Sequence, residues 1–113
     1  MNAAERLWRA LAHRDWSAAR AQFHASATIK RFGGGASGAA LDLDEYLAAH
    51  RERAAREGGD IHVLRVLNAD GTSIVVEARV GAARCAGLYE LRDARIAGAV
   101  EYWVAPSPSA TPR

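Results

Sequence analysis

Four runs of strand-forming residues follow one another in the second half of this chain, and they constrain its fold more than any other feature. The runs cover residues 61–67, 73–80, 84–91 and 96–104. The segments between them are short and contain the Gly, Asn and Asp residues that favour tight turns. Strands joined in this way predict an antiparallel meander.

Helical periodicity dominates the chain before this meander. We predict a first helix over residues 3–13, a second that follows Asp15 and ends near His24, and a third that begins at Asp42 and stops before Gly58. The two Asp side chains can accept hydrogen bonds from the free amides of a first helical turn. Helices followed by a strand meander predict an α+β domain, with the helices on one face of a mainly antiparallel sheet.

Two short segments join the second and third helices. Residues 27–32 alternate loosely and are predicted to form a short strand, and residues 33–38 are rich in Gly and are predicted to form a flexible loop. This loop is not a phosphate-binding loop, because no Gly-Lys-Ser/Thr follows it.

The length of 113 residues allows one domain. We place that domain at residues 1–104. Residues 105–113 contain all three Pro residues and are predicted to form a flexible tail.

The charge distribution argues against nucleic acid as a partner. The formal net charge is only +2, Lys30 is the sole Lys, and the Arg residues are interspersed with Asp and Glu instead of forming a stripe. Glu5, Arg6 and Arg9 interrupt the apolar residues of the N-terminal segment. We therefore expect neither a signal peptide nor a membrane span, and we expect a cytoplasmic protein.

The sequence carries no cofactor signature. No Gly-x-Gly-x-x-Gly motif follows a strand, and the four His residues are spread along the chain with no two at metal-ligand spacing. We expect no cofactor and no metal. His50 lies on the apolar face of the third helix and is interpreted as a residue at the edge of the core, in preference to a catalytic role. Cys85 is interpreted as a packing residue.

Alternation along the strands divides each one into two sets of side chains. One set is nearly uncharged and the other mixes charges with small residues. The ordinary interpretation places the uncharged set in the core and the mixed set in water. The mixed sets contain Ser73, Val75, Glu77, Arg79, then Arg84, Ala86, Leu88, Glu90, and finally Ala97, Ala99, Glu101, Trp103.

The order of these pieces resembles the superfamily of ketosteroid isomerase, SnoaL-type polyketide cyclases and nuclear transport factor 2. The resemblance spans about residues 3–104. It implies three N-terminal helices packed in the concave face of a strongly curved sheet, the cystatin-like cone fold. The residues that carry it are Arg14 to Ala18, Phe23, Ala27 to Ile29, Gly38, Gly87 to Leu91, Arg95, Ile96 and Glu101 to Trp103.

The resemblance reverses the ordinary interpretation of the two faces. It directs Ala99, Glu101 and Trp103 toward an enclosed pocket and leaves an apolar outer face, so large that it implies a homodimer formed through the convex side of the sheet. The outer set would be Val76, Val80, Tyr89, Leu91, Val100 and Tyr102. A monomer with the faces exchanged is the alternative.

The catalytic residues of ketosteroid isomerases are not matched in this sequence. Arg31 stands at the position of the general base, Leu88 at that of the oxyanion-hole Asp, and Leu7 or Trp8 near that of the oxyanion-hole Tyr. An Arg side chain does not lose its proton at useful pH. Isomerisation by the known mechanism is therefore not expected.

Glu101 is the best acid/base candidate, because SnoaL-type cyclases use an acidic residue on the pocket wall. Burial in an enclosed cavity is expected to raise the pKa of its carboxyl group. Arg31, Arg79 and Arg84 are candidates for stabilising negative charge. The alternative is a structural ion pair between Glu101 and one of these Arg residues. A weaker possibility is an arrangement of Arg84, Glu101 and Glu77 that imitates the Asp-Arg-Asp site of limonene epoxide hydrolases.

Two hypotheses for function follow. The first is a SnoaL-like protein that encloses a small, mostly apolar organic molecule, with Glu101 as acid/base and Arg31 as charge stabiliser. The second is a non-catalytic homodimeric binding or interaction module. The predicted ligand-binding residues are Trp8, Glu77, Arg79, Arg84, Leu88, Ala99 and Trp103.

Overall fold

The computed structural model of the protein describes residues 1–105, which form three helices and six strands. Except for Ala105, the predicted tail lies outside the described residues. The helices are α1 (Ala3–Ala12), α2 (Trp16–Arg20) and α3 (Leu43–Glu57), and the strands are β1 (Phe23–Gly33), β2 (Ala36–Leu41), β3 (Ile61–Asn68), β4 (Ser73–Val80), β5 (Ala83–Arg92) and β6 (Arg95–Val104).

All six strands belong to one mixed sheet in the order β2-β1-β6-β5-β4-β3. Strands β1 and β6 are parallel and every other neighbouring pair is antiparallel. Helices α1 and α3 contact the same face of this sheet. The predicted α+β class, with helices packed against a curved and mainly antiparallel sheet, is confirmed.

Capping side chains begin the three helices. Asn2 and Glu5 form a capping box at α1, and Asp42 forms another at the start of α3. The Asp15 carboxylate accepts a hydrogen bond from an amide of α2. Gly58 ends α3 with a φ of 60°, a left-handed conformation that Gly adopts without strain.

Helix α2 is shorter and β1 longer than predicted. The helix ends at Arg20, and β1 already begins at Phe23. Phe23 pairs with Ile96 on β6, where its ring contacts that of Tyr46 at a centroid distance of 5.4 Å. The helical spacing of Trp16, Ala19 and Phe23 suggested a longer helix, but pairing with β6 buries Phe23 more effectively.

The predicted flexible loop at residues 33–38 is largely a hairpin. Strand β2 pairs antiparallel with β1, and the connection at Gly34 and Gly35 uses φ values of 58° and 91°. Residues other than Gly rarely adopt such angles, which explains why Gly residues cluster at this turn. The Gly-rich composition that suggested a loop therefore serves a tight turn between strands.

The distribution of side chains over the two faces of the sheet differs from both interpretations made from the sequence. Directly paired residues share a face, and Glu101 is paired with Gly87, which in turn is paired with Val76. Glu101 therefore lies among the uncharged residues of β4 and β5, on the face covered by the helices. That face contains Ile74, Val76, Ala78, Val80, Cys85, Tyr89, Ala99, Glu101 and Trp103, all of them buried.

The other face, called the open face below, carries the mixed sets of β4 and β5. Its members include Glu77, Arg79, Arg84, Leu88, Val100 and Tyr102. Val100 and Tyr102 lie there as the resemblance implied. Val76, Val80 and Tyr89 do not, because they are buried under the helices. This corrects the expected composition of the outer face.

Candidate functional site

Glu101 is completely buried at the centre of the helix-covered face and accepts three hydrogen bonds. The hydroxyl groups of Tyr46 on α3 and Tyr89 on β5 each donate to its Oε2 at 2.7 Å. The indole Nε1 of Trp103 donates to its Oε1 at 3.1 Å. A buried carboxylate needs such partners, because desolvation of an unpaired charge costs several kcal/mol.

Two basic side chains approach the same oxygen. Arg31 Nε lies 3.7 Å and His50 Nε2 lies 3.8 Å from Glu101 Oε1. Arg31 reaches this position because it pairs with Glu101 across β1 and β6, and its guanidinium stacks 4.6 Å from the centre of the Trp103 ring. Both distances to Oε1 are beyond hydrogen-bond range, so Arg31, which is always protonated, acts on Glu101 through its charge.

The pKa of Glu101 is decided by two opposing effects. Burial raises the pKa of this carboxyl group, but the His50 imidazole, the Tyr46 hydroxyl and the Arg31 guanidinium together lower it to about 2. Glu101 is therefore ionised near neutral pH. The rise in pKa that enclosure predicted does not occur, because groups that favour the charged form surround the carboxylate.

The two tyrosines remain protonated donors. Burial, reinforced by the nearby charge of Glu101, raises the pKa of both Tyr46 and Tyr89 well above the ordinary value. Each hydroxyl therefore keeps the proton that it donates to Glu101 Oε2.

A chain of hydrogen bonds extends from Glu101 to the first helix. Trp8 Nε1 on α1 donates to the Tyr89 hydroxyl at 2.8 Å, and that hydroxyl donates to Glu101. The Tyr89 ring lies directly over Gly87, where an added Cβ would come within 2.3 Å of the hydroxyl oxygen. Gly87 thus provides the space that lets Tyr89 reach the carboxylate.

A cavity of about 260 Å³ lies beside His50, at the end of the sheet where α1 and α3 meet β3 and β4. Its lining combines aliphatic side chains with charges and includes Leu11, Arg14, His50, Arg53, Asp60 and Val80. Arg53 pairs with Glu57 at 3.2 Å and stacks 4.5 Å from the centre of the Trp103 ring. His50 therefore connects the cavity with the buried carboxylate.

A larger groove of about 500 Å³ lies elsewhere, lined by Arg20, Phe23, Asp44 and Arg95 among others. None of its lining residues contacts Glu101 through a hydrogen bond or an ion pair. The smaller cavity is the one that adjoins the titratable cluster.

The structure brings some of the predicted site residues together and separates others. Around Glu101 it assembles Trp8, Arg31, Ala99 and Trp103. The remaining predicted ligand-binding residues, Glu77, Arg79, Arg84 and Leu88, lie on the open face of the sheet.

The expected grouping of Arg84, Glu101 and Glu77 does not form. Arg84 Nη1 lies 3.7 Å from Glu77 on the open face, and Glu101 points to the other side of the sheet. The physical reason is a β-bulge at Ala97, which changes the pairing from Leu91–Ile96 to Glu90–Gly98. One extra residue in a strand moves all later side chains to the opposite face relative to the partner strand.

Sequence reasoning missed Tyr46, Tyr89 and His50 as members of the cluster. Tyr46 and His50 are four residues apart on α3, and their rings are in contact at 4.8 Å between centroids. The signal was present as two polar aromatic residues on the apolar face of the third helix. Residues with a polar group and a buried ring usually need a partner inside the protein.

The described residues contain neither a membrane-spanning helix nor a metal-binding group. Within residues 1–105, no helix is both long enough and apolar enough to cross a membrane. Over the same range, no three His, Cys, Asp or Glu side chains are grouped so that they could hold a metal ion.

Solved structures match this architecture over most of the chain. Wild-type IdmH from Streptomyces antibioticus, a proposed polyketide cyclase, superposes with a TM-score of 0.77 at 14% identity, covering 89% of this chain and 88% of that one. A nuclear transport factor 2-like protein of unknown function from Burkholderia xenovorans gives a TM-score of 0.73 at 19% identity, covering 93% and 82%. This chain has the nuclear transport factor 2-like fold.

An LEH-like epoxide hydrolase from Mycobacterium tuberculosis is a further structure with a similar fold, with a TM-score of 0.64, 22% identity, and coverage of 90% of this chain and 80% of that one. No protein-family model and no curated protein matches the sequence. At these identities, the structural similarity shows the fold alone.

Proposed function

We propose that this nuclear transport factor 2-like protein binds a small organic molecule in the cavity beside His50, and that His50, paired with Glu101, transfers protons to or from it. The observation that carries the proposal is the position of His50. Its ring lines the cavity, and its Nε2 lies 3.8 Å from a buried, ionised carboxylate. A His paired with a carboxylate is a common general acid/base, because imidazole titrates near neutral pH.

Glu101 acts in this proposal as the charge partner of His50. Hydrogen bonds from Tyr46, Tyr89 and Trp103 occupy most of its lone pairs, and its low pKa makes it a weak base. Arg31 balances the negative charge of Glu101 in the resting state, and this is the charge-stabilising role that we propose for it.

The lining of the cavity indicates the class of ligand. Leu11, Ile61 and Val80 provide apolar surface. The lining also carries charges of both signs, from Arg14, Arg53, Glu57 and Asp60. A ligand with a small apolar body and a polar oxygen function fits this combination. The structural relatives described as a proposed polyketide cyclase and as an epoxide hydrolase make cyclic ketones, lactones and epoxides a suitable first set of compounds.

Ligand binding can be tested by NMR with isotope labelling of the His rings. We expect at least one compound of that set to shift the His50 ring signals in the wild type and to lose affinity in His50→Phe. His62→Phe is the matched control, since His62 is exposed on β3 away from the cavity lining. If compounds bind without perturbing His50, or if none binds, the proposed function is wrong.

A second candidate function is a non-catalytic homodimeric module, and the open face favours it. Leu88 pairs with Val100 there, and Phe32 stacks on Tyr102 with 5.3 Å between ring centroids. Leu88, Tyr102 and Val104 are exposed apolar or aromatic side chains on neighbouring strands. An apolar surface of this kind is typical of a protein–protein contact, and a second copy of the chain is the proposed partner.

Sedimentation velocity tests the proposed dimer. We expect Tyr102→Glu to convert a dimeric wild type to monomers, because the new charge would be desolvated in the interface. Ser17→Glu, on the exposed surface of α2, should leave the dimer intact. A wild type that sediments as a monomer, or an unchanged dimer in Tyr102→Glu, would remove this candidate.

A further inference from the structure

Two nitrogen atoms beside Glu101 are buried and have no hydrogen-bond partner among residues 1–105. They are Arg31 Nε and His50 Nε2. Leaving a buried donor or acceptor unpaired costs about 1–3 kcal/mol, more for a charged group. Such atoms in a folded protein usually meet a bound molecule.

The remaining hydrogen-bonding capacity of Glu101 lies at the same place. A carboxylate has about four lone-pair positions. Both positions on Oε2 are used by Tyr46 and Tyr89, and one on Oε1 is used by Trp103. The free position is therefore on Oε1, the oxygen that Arg31 Nε and His50 Nε2 approach at 3.7 and 3.8 Å.

We infer that one water molecule binds at this corner, held by Arg31, His50 and Glu101. The two distances, 3.7 and 3.8 Å, are too long for direct hydrogen bonds, but each is short enough for one oxygen atom to lie roughly 2.8 Å from both atoms of the pair. The water accepts from the Arg31 Nε–H, donates to Glu101 Oε1 and forms its third hydrogen bond with His50 Nε2. Three hydrogen bonds are typical of a buried water.

The water also assigns a function to each nitrogen of the His50 ring. Nε2 is turned inward and bound to the water, so the ring is held in one orientation and Nδ1 is left as the atom that meets a ligand. This consequence rests on the proposed function, because it concerns proton transfer in the cavity. The water site itself does not depend on it.

Oxygen-17 relaxation dispersion of the wild type, together with a high-resolution crystal structure, tests the inference. We expect one slowly exchanging water and a density peak within hydrogen-bond distance of all three atoms. Direct contact between His50 Nε2 and Glu101 Oε1, with no such peak, would overturn the inference. That result would leave ligand binding in the cavity to be decided by the NMR titration.

A matched pair of Arg variants separates the water site from general packing. Arg31 and Arg53 stack on Trp103 at nearly equal distances, 4.6 and 4.5 Å, but only Arg31 approaches Glu101. We expect Arg31→Met to lose the water peak and Arg53→Met to keep it. Retention of the water density peak in Arg31→Met would contradict the assignment of Arg31 as a partner of the water. If Arg31→Met does not fold, the wild-type measurements decide whether the water is bound.

Discussion

Tyr46 on α3 and Glu101 on β6 are separated by 55 residues in sequence and joined by a buried hydrogen bond of 2.7 Å. This bond attaches the third helix to the centre of the sheet through a charged group. Because a buried charge tolerates few alternative partners, the contact also restricts how the helix can lie on the sheet.

Replacing Glu101 by Gln should destabilise the protein by about 3–5 kcal/mol, the usual cost of removing one partner from a buried ion pair. The amide keeps the volume but leaves Arg31 and His50 without a negative charge. Its NH₂ group replaces an acceptor either at the two tyrosine hydroxyls or at the Trp103 indole. Urea denaturation measures the loss. Glu90→Gln, at an exposed position where the carboxylate accepts a hydrogen bond from Ser73, should change stability little. Equal effects of the two substitutions would contradict the importance given to the Glu101 charge.

The low pKa of Glu101 predicts a loss of stability in acid. The pKa falls from an ordinary value of 4.5 to about 2 in the folded protein, so the unfolded chain binds the proton more tightly. The stabilisation is complete above about pH 5 and is lost as the pH falls through 4.5 toward 2. We expect the free energy of unfolding of the wild type to fall more steeply over this interval than that of Glu101→Gln. Parallel pH profiles of the two proteins would show that the carboxyl pKa is not depressed.

Tyr89→Phe should be more destabilising than Tyr46→Phe. Both substitutions remove a donor to Glu101, for which a cost of about 1.5–3 kcal/mol is typical of hydrogen bonds to charged groups. Tyr89 also accepts from Trp8 Nε1, so the loss of its hydroxyl additionally leaves the buried Trp8 N–H donor unpaired. Chemical denaturation compares the two variants, and a larger loss in Tyr46→Phe would argue against the chain from Trp8 to Glu101.

Gly87→Ala should disturb the cluster, whereas Gly98→Ala should be tolerated. A Cβ at residue 87 would lie 2.3 Å from the Tyr89 hydroxyl oxygen, which forces the ring away from Glu101. A Cβ at residue 98 would meet its nearest neighbour at 3.8 Å, an ordinary contact. We expect Gly87→Ala to lose at least as much stability as Tyr89→Phe and to change the Trp8 fluorescence, because the indole loses its partner. Unaltered fluorescence and stability in Gly87→Ala would refute the close approach.

Local sequence signals determined most of the secondary structure and the class of fold. The alternating runs after residue 61 and the capping side chains at Asp15 and Asp42 act over a few residues, so they can be recognised without knowing the tertiary structure. Strand β2 and the early start of β1 were not recognised. The early start of β1 depends on pairing with a strand that is distant in sequence, as in the pairing of Phe23 with Ile96. Strand β2 pairs with the adjacent β1, but its Gly, Ala and Ser residues lack the alternation that marks a strand.

The composition of the site was decided by the tertiary structure. Alternation separates the side chains of each strand into two sets, but only the register between strands decides which sets lie together. A single bulge at Ala97 places Glu101 opposite Gly87. Without it, continued pairing from Leu91–Ile96 would place Glu101 opposite Ala86, on the face of Arg84 and Leu88. Nothing in the local pattern of β6 indicates this extra residue, because its effect appears only when two strands are paired.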